Sequence, residues 1–163
     1  MLSLLTDEEK SKIAVMHITG EKDFARFKEM YPSQGIEADV FPYYDNMEEL
    51  YSKSDLAITR AGAGTLFELA LFGLPAIVLP YPHAEGHQEV NACYFEKEGA
   101  ILLVSERGCT SERLKESVFR LIESPALRIQ LNQNLGRLAQ PDAAEKLVEV
   151  AEELLAEKEP CLA

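Results

Sequence analysis

Apolar residues fall in short, nearly unbroken runs separated by amphipathic stretches. The runs cover residues 13–19 (IAVMHIT), 37–41, 55–59 (DLAIT), 75–80 (PAIVLP) and 100–104 (AILLV). Each is four to seven residues long and ends near Gly, Pro or a polar cluster, which predicts strands buried on both faces. Between them the period changes to that of a helix. Phe24 and Phe27 share a face of EKDFARFKEM, and MEELYSK follows a cap at Asp45 or Asn46. TLFELALF starts near Thr65 and stops at Gly73, and QEVNACYFEKE stops at Gly99. Thr6 and Glu9 have the spacing of a capping box ahead of the first run. Pro32 and Gly35 mark a loop.

Strand–helix alternation repeated in this way predicts an α/β fold with a doubly wound parallel sheet of about five strands and helices on both faces. The core spans residues 12–105. Beyond Val104 the pattern is helical only, with predicted C-terminal helices over 110–158. The last of them carries Ala144, Leu147, Val148, Ala151, Leu154 and Leu155 on one stripe, which predicts packing on the sheet or on a neighbouring domain.

Composition narrows the partners. Sixteen Lys and Arg against 28 Asp and Glu give a net charge of −12, with no basic cluster to offset it. That field excludes a nucleic-acid backbone as the partner. The longest apolar stretch, residues 74–81, is interrupted by two prolines and is far too short to span a bilayer. The first twelve residues lack the basic region and apolar core of a secretory signal. Cys93, Cys109 and Cys161 stand apart, which argues against a disulfide framework or a zinc knuckle and suits a reducing compartment.

Three segments leave strands at the carboxyl edge, where open α/β sheets bind ligands. RAGAGTLFE (60–68) is a glycine turn feeding a helix. Gly62, Ala63, Gly64 and Thr65 offer backbone N–H groups to a diphosphate, and Glu68 offers a carboxylate to ribose hydroxyls. A plain strand–helix turn accounts for the same glycines equally well. The second segment, PYPHAEGHQEVNA (80–92), gathers His83, Glu85, His87, Gln88 and Asn91. The amides of Gln88 and Asn91, three residues apart, share a helical face and suit sugar hydroxyls; helix capping is the alternative. A metal site there is the minor reading, because no HxxxH pair is present. In the third, VFPYYDNMEE (40–49), Tyr43 and Tyr44 flank a flat base or simply cover the sheet end. His17 reads as a core histidine at a strand end. No nucleophile elbow or HExxH motif occurs.

Together, SDLAITRAGAGTLFELALFGLPAIVLPYPHAEGHQEVNACYFEKEGAILL, HITG (17–20) and YYDNM (43–47) resemble the C-terminal, nucleotide-sugar half of the MurG family. The family transfers N-acetylglucosamine from its UDP donor to undecaprenyl-linked muramyl-pentapeptide in peptidoglycan synthesis. The resemblance implies a Rossmann-like half of a GT-B glycosyltransferase, inverting and metal-independent, acting at the cytoplasmic face of the bacterial inner membrane. By matching position it puts Ala63, Gly64 and Thr65 at the diphosphate and Glu68 on the ribose. It sets Tyr44 beside uracil, and Gln88 with His87 on the sugar. Arg60 is either a second phosphate contact or an ordinary ion-pair residue. The base and the lipid-facing patch belong to the family's N-terminal half, so residues 1–163 alone are expected to be inactive. A non-catalytic nucleotide-sugar-binding module that needs a partner chain is the alternative. A stand-alone flavodoxin-like signalling domain lacks its acidic pair and Lys here.

The family's nucleotide-sugar half opens on a strand ending in a GGSxG loop, which residues 1–163 do not contain. The expected strand order is then 2-1-3-4-5, with residues 13–19 pairing directly with 56–59. Strand exchange in a homodimer is the competing expectation.

Overall fold

A computed structural model of the chain describes residues 1–83 and 86–156. A 3-10 turn at Leu2–Leu4 leads to α1 (Asp7–Lys10), which Thr6 and Glu9 close with the predicted capping box. There follow β1 (Ala14–Ile18), α2 (Glu21–Ser33), β2 (Glu37–Phe41), α3 (Met47–Lys53), β3 (Ala57–Thr59) and α4 (Ala63–Phe72). Then come β4 (Ala76–Val78), α5 (His87–Lys97), β5 (Leu102–Leu103), α6 (Ser111–Glu123), α7 (Pro125–Leu138) and α8 (Ala143–Ala156). All strand pairs are parallel. The α/β class and the run of elements are those read from the pattern.

Of the two cap candidates for α3, Asn46 accepts the capping bond with its side chain. Thr110 caps α6, and Ser124 with Pro125 opens α7. Gly73 ends α4 at φ 58°, and a Cβ there would run into the Asn132 amide, so glycine is required twice over. Pro32 does not open the loop. Helix α2 runs through it to Ser33: the proline forgoes its own N–H bond to the preceding turn, and Tyr31 beside it is buried in the core.

Two apolar layers cover the sheets. Ala76 and Val78 of β4 face a cluster with Leu66, Leu69, Ala92, Phe95 and Leu135. Ile77 faces the other layer, with Val118, Phe119 and Leu121 of α6 and Leu131 of α7. Asn132 and Asn134 of α7 donate to the Gly73 and Gly99 carbonyls at 2.7 and 2.9 Å, closing the C-terminal ends of α4 and α5.

The sheet does not close as expected. Strands β1 and β2 form one sheet and β3-β4-β5 another, and residues 13–19 do not pair with 56–59. The reason lies beneath the strands. Val15, Val40 and Leu56 pack into one cluster with Val118 and Phe119, so a single apolar floor seats both sheets. Sliding β1 across by about one strand spacing, 4.8 Å, would break those contacts. Of the two seats expected for helix α8, the sheet is not the one it takes here: all its residues are exposed, Leu147, Leu154 and Leu155 included.

Candidate functional site

The glycine turn after β3 is held from outside rather than by its own residues. Gln88, on the first turn of α5, accepts with Oε1 from the backbone N–H of Ala61 (3.1 Å) and of Tyr81 (2.9 Å). Asn91, one turn on, donates from Nδ2 to the Ala61 carbonyl at 3.1 Å. Ala61 is completely buried, and both its peptide groups are thus fixed by side chains 27 and 30 residues away. The two amides staple the start of α4 to the start of α5.

Past that staple, α4 opens at Gly62 with no side-chain cap, and its first intrahelical bond runs from Leu66 N–H to the Gly62 carbonyl. The N–H groups of Ala63, Gly64 and Thr65 therefore face outward without intrahelical partners. Open space surrounds the position a Gly64 Cβ would occupy. With the helix dipole behind them, three free amides at an uncluttered helix start attract an anion.

Glu68 stands one turn further, exposed, with Oε2 accepting from the Tyr51 hydroxyl at 2.7 Å. Burial first, and then this bond, push the Tyr51 phenol far above its ordinary range, so it remains a proton donor. The carboxylate is aimed, and Oε1 is left for another donor. Sequence reasoning missed Tyr51. Its only local signal is its place on the inward side of α3, next to Leu50.

Arg60 is engaged elsewhere. Its guanidinium pairs with Glu106 at 2.8 Å and donates to the Leu79 carbonyl at 3.1 Å. It braces the turn after β4, with the Tyr81 ring 5.5 Å away. His87 is exposed at the first position of α5, and Gly86 before it takes φ 79°. His83 stacks edge-on to Tyr81, while Glu85 lies outside the described residues. Among the described residues, no group of three or more His, Cys, Asp or Glu is placed to hold a metal.

Tyr44 belongs to the other sheet. It follows β2, rests on Phe41 with ring centres 4.6 Å apart, and donates to Glu49 at 2.9 Å. That bond raises its phenol above the ordinary value, and the Lys53 ammonium holds Glu49 below its own. Tyr43 is 71% exposed and covers nothing. The structure thus joins Ala61, Glu68, Gln88 and Asn91 around the α4 start, whereas Tyr44 stands at the carboxyl end of the neighbouring sheet. His17 sits in its strand, half-buried, 3.0 Å from the Tyr31 hydroxyl, and burial lowers its pKa. Cys93 and Cys109 are free thiols, and Cys161 lies outside the described residues. No helix of the described residues is long and apolar enough to cross a membrane.

A sequence family described as the glycosyltransferase family 28 C-terminal domain matches residues 1–158. The UDP-N-acetylglucosamine--N-acetylmuramyl-(pentapeptide) pyrophosphoryl-undecaprenol N-acetylglucosamine transferase of Carboxydothermus hydrogenoformans is 35% identical over 150 residues, 91% of this chain and 40% of its own length. The transferase of the same name from Trichormus variabilis is 42% identical over 142 residues, 86% of this chain and 39% of its own. The crystal structure of Acinetobacter baumannii MurG superposes with a TM-score of 0.76 at 27% identity, covering 86% of this chain and 41% of that one. The forosaminyltransferase SpnP, at 15% identity and a TM-score of 0.58, shares the fold; the match covers 94% of this chain and 47% of that one. The chain spans about two fifths of the length of the curated relatives it matches.

Proposed function

The chain belongs to the MurG family of glycosyltransferases, and on that premise we propose that residues 1–163 form its nucleotide-sugar-binding unit, with a Rossmann-like core over 12–105 and accessory helices from 110 onward, residues 157–158 of the expected span lying outside the described residues. The donor is UDP-N-acetylglucosamine. The complete enzyme passes its sugar to undecaprenyl-pyrophosphoryl-muramyl-pentapeptide in peptidoglycan synthesis, as a peripheral protein at the cytoplasmic face of the membrane.

One observation carries the reading. The free amides of Ala63, Gly64 and Thr65 follow directly on Ala61, whose peptide groups Gln88 and Asn91 fix, with a pre-aimed carboxylate one turn beyond. The diphosphate sits on the amides, Glu68 receives the ribose hydroxyls, and the backbone near Tyr44 reads the uracil edge. Gln88 Nε2, which the staple leaves unused, reaches the sugar with His87 and the Asn91 side-chain oxygen Oδ1. As the glycosidic bond breaks, negative charge grows on the departing UDP. Preorganised amides stabilise that charge more in the transition state than in the ground state, and so accelerate transfer without a metal ion. Arg60 contributes by bracing the 79–81 turn rather than by touching phosphate. The base that takes the acceptor proton belongs to the rest of the enzyme, so this chain alone does not turn over lipid acceptor.

Calorimetric titration of UDP, UDP-N-acetylglucosamine and UDP-glucose into the chain tests the proposal. UDP and UDP-N-acetylglucosamine bind, and Glu68→Ala weakens both by roughly tenfold, the worth of one charge-assisted hydrogen bond. Absence of binding by all three ligands would defeat the donor-site assignment.

A further inference from the structure

Glu68 is an exposed side chain with several rotatable bonds, yet it does not hang free. Its carboxylate accepts from the Tyr51 hydroxyl at 2.7 Å, a bond that reaches across 17 residues and joins α3 to α4. Packing holds the phenol in turn. The Tyr51 ring is half-buried on the apolar layer that contains Leu66, Leu69 and Ala70 of α4, and its centre stands 5.3 Å from that of Phe72. A tyrosine has two side-chain torsions, and a packed ring fixes both, so the hydroxyl is presented from one place.

Helix α3 is itself held on its other side. Residues two apart on an α-helix point about 200° from one another. While Tyr51 turns to α4, Glu49 turns away and accepts from the Tyr44 hydroxyl beyond β2 at 2.9 Å. The donor to Glu68 therefore stands on an element tied at both flanks. The direction of Glu68 suits the site. It follows Gly64 by four residues and Thr65 by three, so it shares their face of α4. Helical side chains lean toward the N-terminus, which brings the carboxylate back over the free amides. The kind of donor matters as well. A Lys or Arg here would offset the carboxylate's charge and compete with an incoming hydroxyl. A phenol fixes one oxygen and leaves the charge for the ligand, and burial keeps this one protonated.

We propose that Tyr51 is a positioning residue for nucleotide recognition: its hydroxyl orders the Glu68 carboxylate before the ligand arrives, so that the ribose diol of a nucleoside diphosphate meets an acceptor already in place. The inference rests on the donor-site reading above and adds a residue that touches no part of the ligand. Without Tyr51 the Glu68 side chain would have to give up its rotamer freedom on binding, and the ribose contact would weaken accordingly. The diphosphate contact at the amides would not change. Tyr51 thus sets how strongly the ribose hydroxyls count in recognition.

Calorimetric titration of the full chain with UDP and with 2′,3′-dideoxy-UDP tests this. The unaltered chain should bind UDP about tenfold more tightly than the dideoxy ligand. Tyr51→Phe, which keeps the ring and its packing, should weaken UDP by roughly three- to fivefold and leave dideoxy-UDP unchanged. In a Glu68→Ala background the same substitution should change neither affinity. A purely structural role for Tyr51 would lower both ligands together. The proposal is overturned if Tyr51→Phe weakens both equally or neither, or if it lowers UDP affinity further once Glu68 is gone. Those results leave the donor site standing, provided the unaltered chain prefers UDP. An unaltered chain that binds both ligands equally, or binds neither, removes Glu68 from the ribose and this role of Tyr51 with it.

Discussion

At Gln88 the two ends of one amide have different tasks. Oε1 holds the N–H groups of Ala61 and Tyr81, and Nε2 is left for a ligand. Gln88→Ala removes both, so it should weaken UDP and UDP-N-acetylglucosamine alike and lower stability by about 1–3 kcal/mol, from two backbone donors losing their acceptor. Gln88→Glu keeps an acceptor and deletes the donor, so it should weaken the sugar nucleotide several-fold more than UDP. Titration of both ligands against both variants checks this, and equal losses in Gln88→Glu would remove the sugar contact. The i, i+3 spacing of Gln88 and Asn91 was enough to put them on one face. What that face meets was not legible, because Ala61 lies 27 and 30 residues away and only the tertiary fold brings it there. The same holds for Tyr51 on Glu68, which no short motif encodes. Arg60 shows the limit from the other side: its place beside the glycine turn left a phosphate contact and an ion pair equally open, and the ion-pair partner, Glu106, lies 46 residues on.

Helix α4 shows how two glycines in one element differ. Gly73 sits at φ 58° against Asn132, so Gly73→Ala should destabilise the chain by about 1–3 kcal/mol. Gly64 lies inside the first turn with open space around it, so Gly64→Ala should leave stability unchanged or raise it by up to about 1 kcal/mol. The added methyl stands over the free amides, and UDP affinity should fall at least tenfold. Urea denaturation with nucleotide titration separates the two. A Gly64→Ala protein that binds UDP normally would mean that the turn is glycine-rich for backbone reasons alone. Helix boundaries were legible because caps and breakers are local: Thr6, Asn46 and Gly73 each act within a turn of their own position. Packing was less legible. The apolar stripe of α8 predicts packing on the sheet or on a neighbouring domain; Leu147 and Leu155 are exposed and the sheet does not cover them, since periodicity specifies a face without specifying what covers it.

For the whole molecule, the five strands and their parallel sense followed from alternation, but the way they join did not. Pairing is a long-range choice, and the α6 floor settles it by seating both sheets while leaving β1 and β3 apart. The net charge of −12 also takes on a different meaning once the site is in view. It opposes anions overall, so a nucleotide is held only where the start of α4 outweighs that field at close range. The central claim is that this helix start is the diphosphate site. Amide chemical shifts of 15N-labelled chain during UDP titration test it most directly. Saturable shifts largest at Ala63, Gly64 and Thr65, and reduced by Gly64→Ala, are the predicted result. UDP binding that leaves those three amides unmoved and shifts residues elsewhere would contradict it.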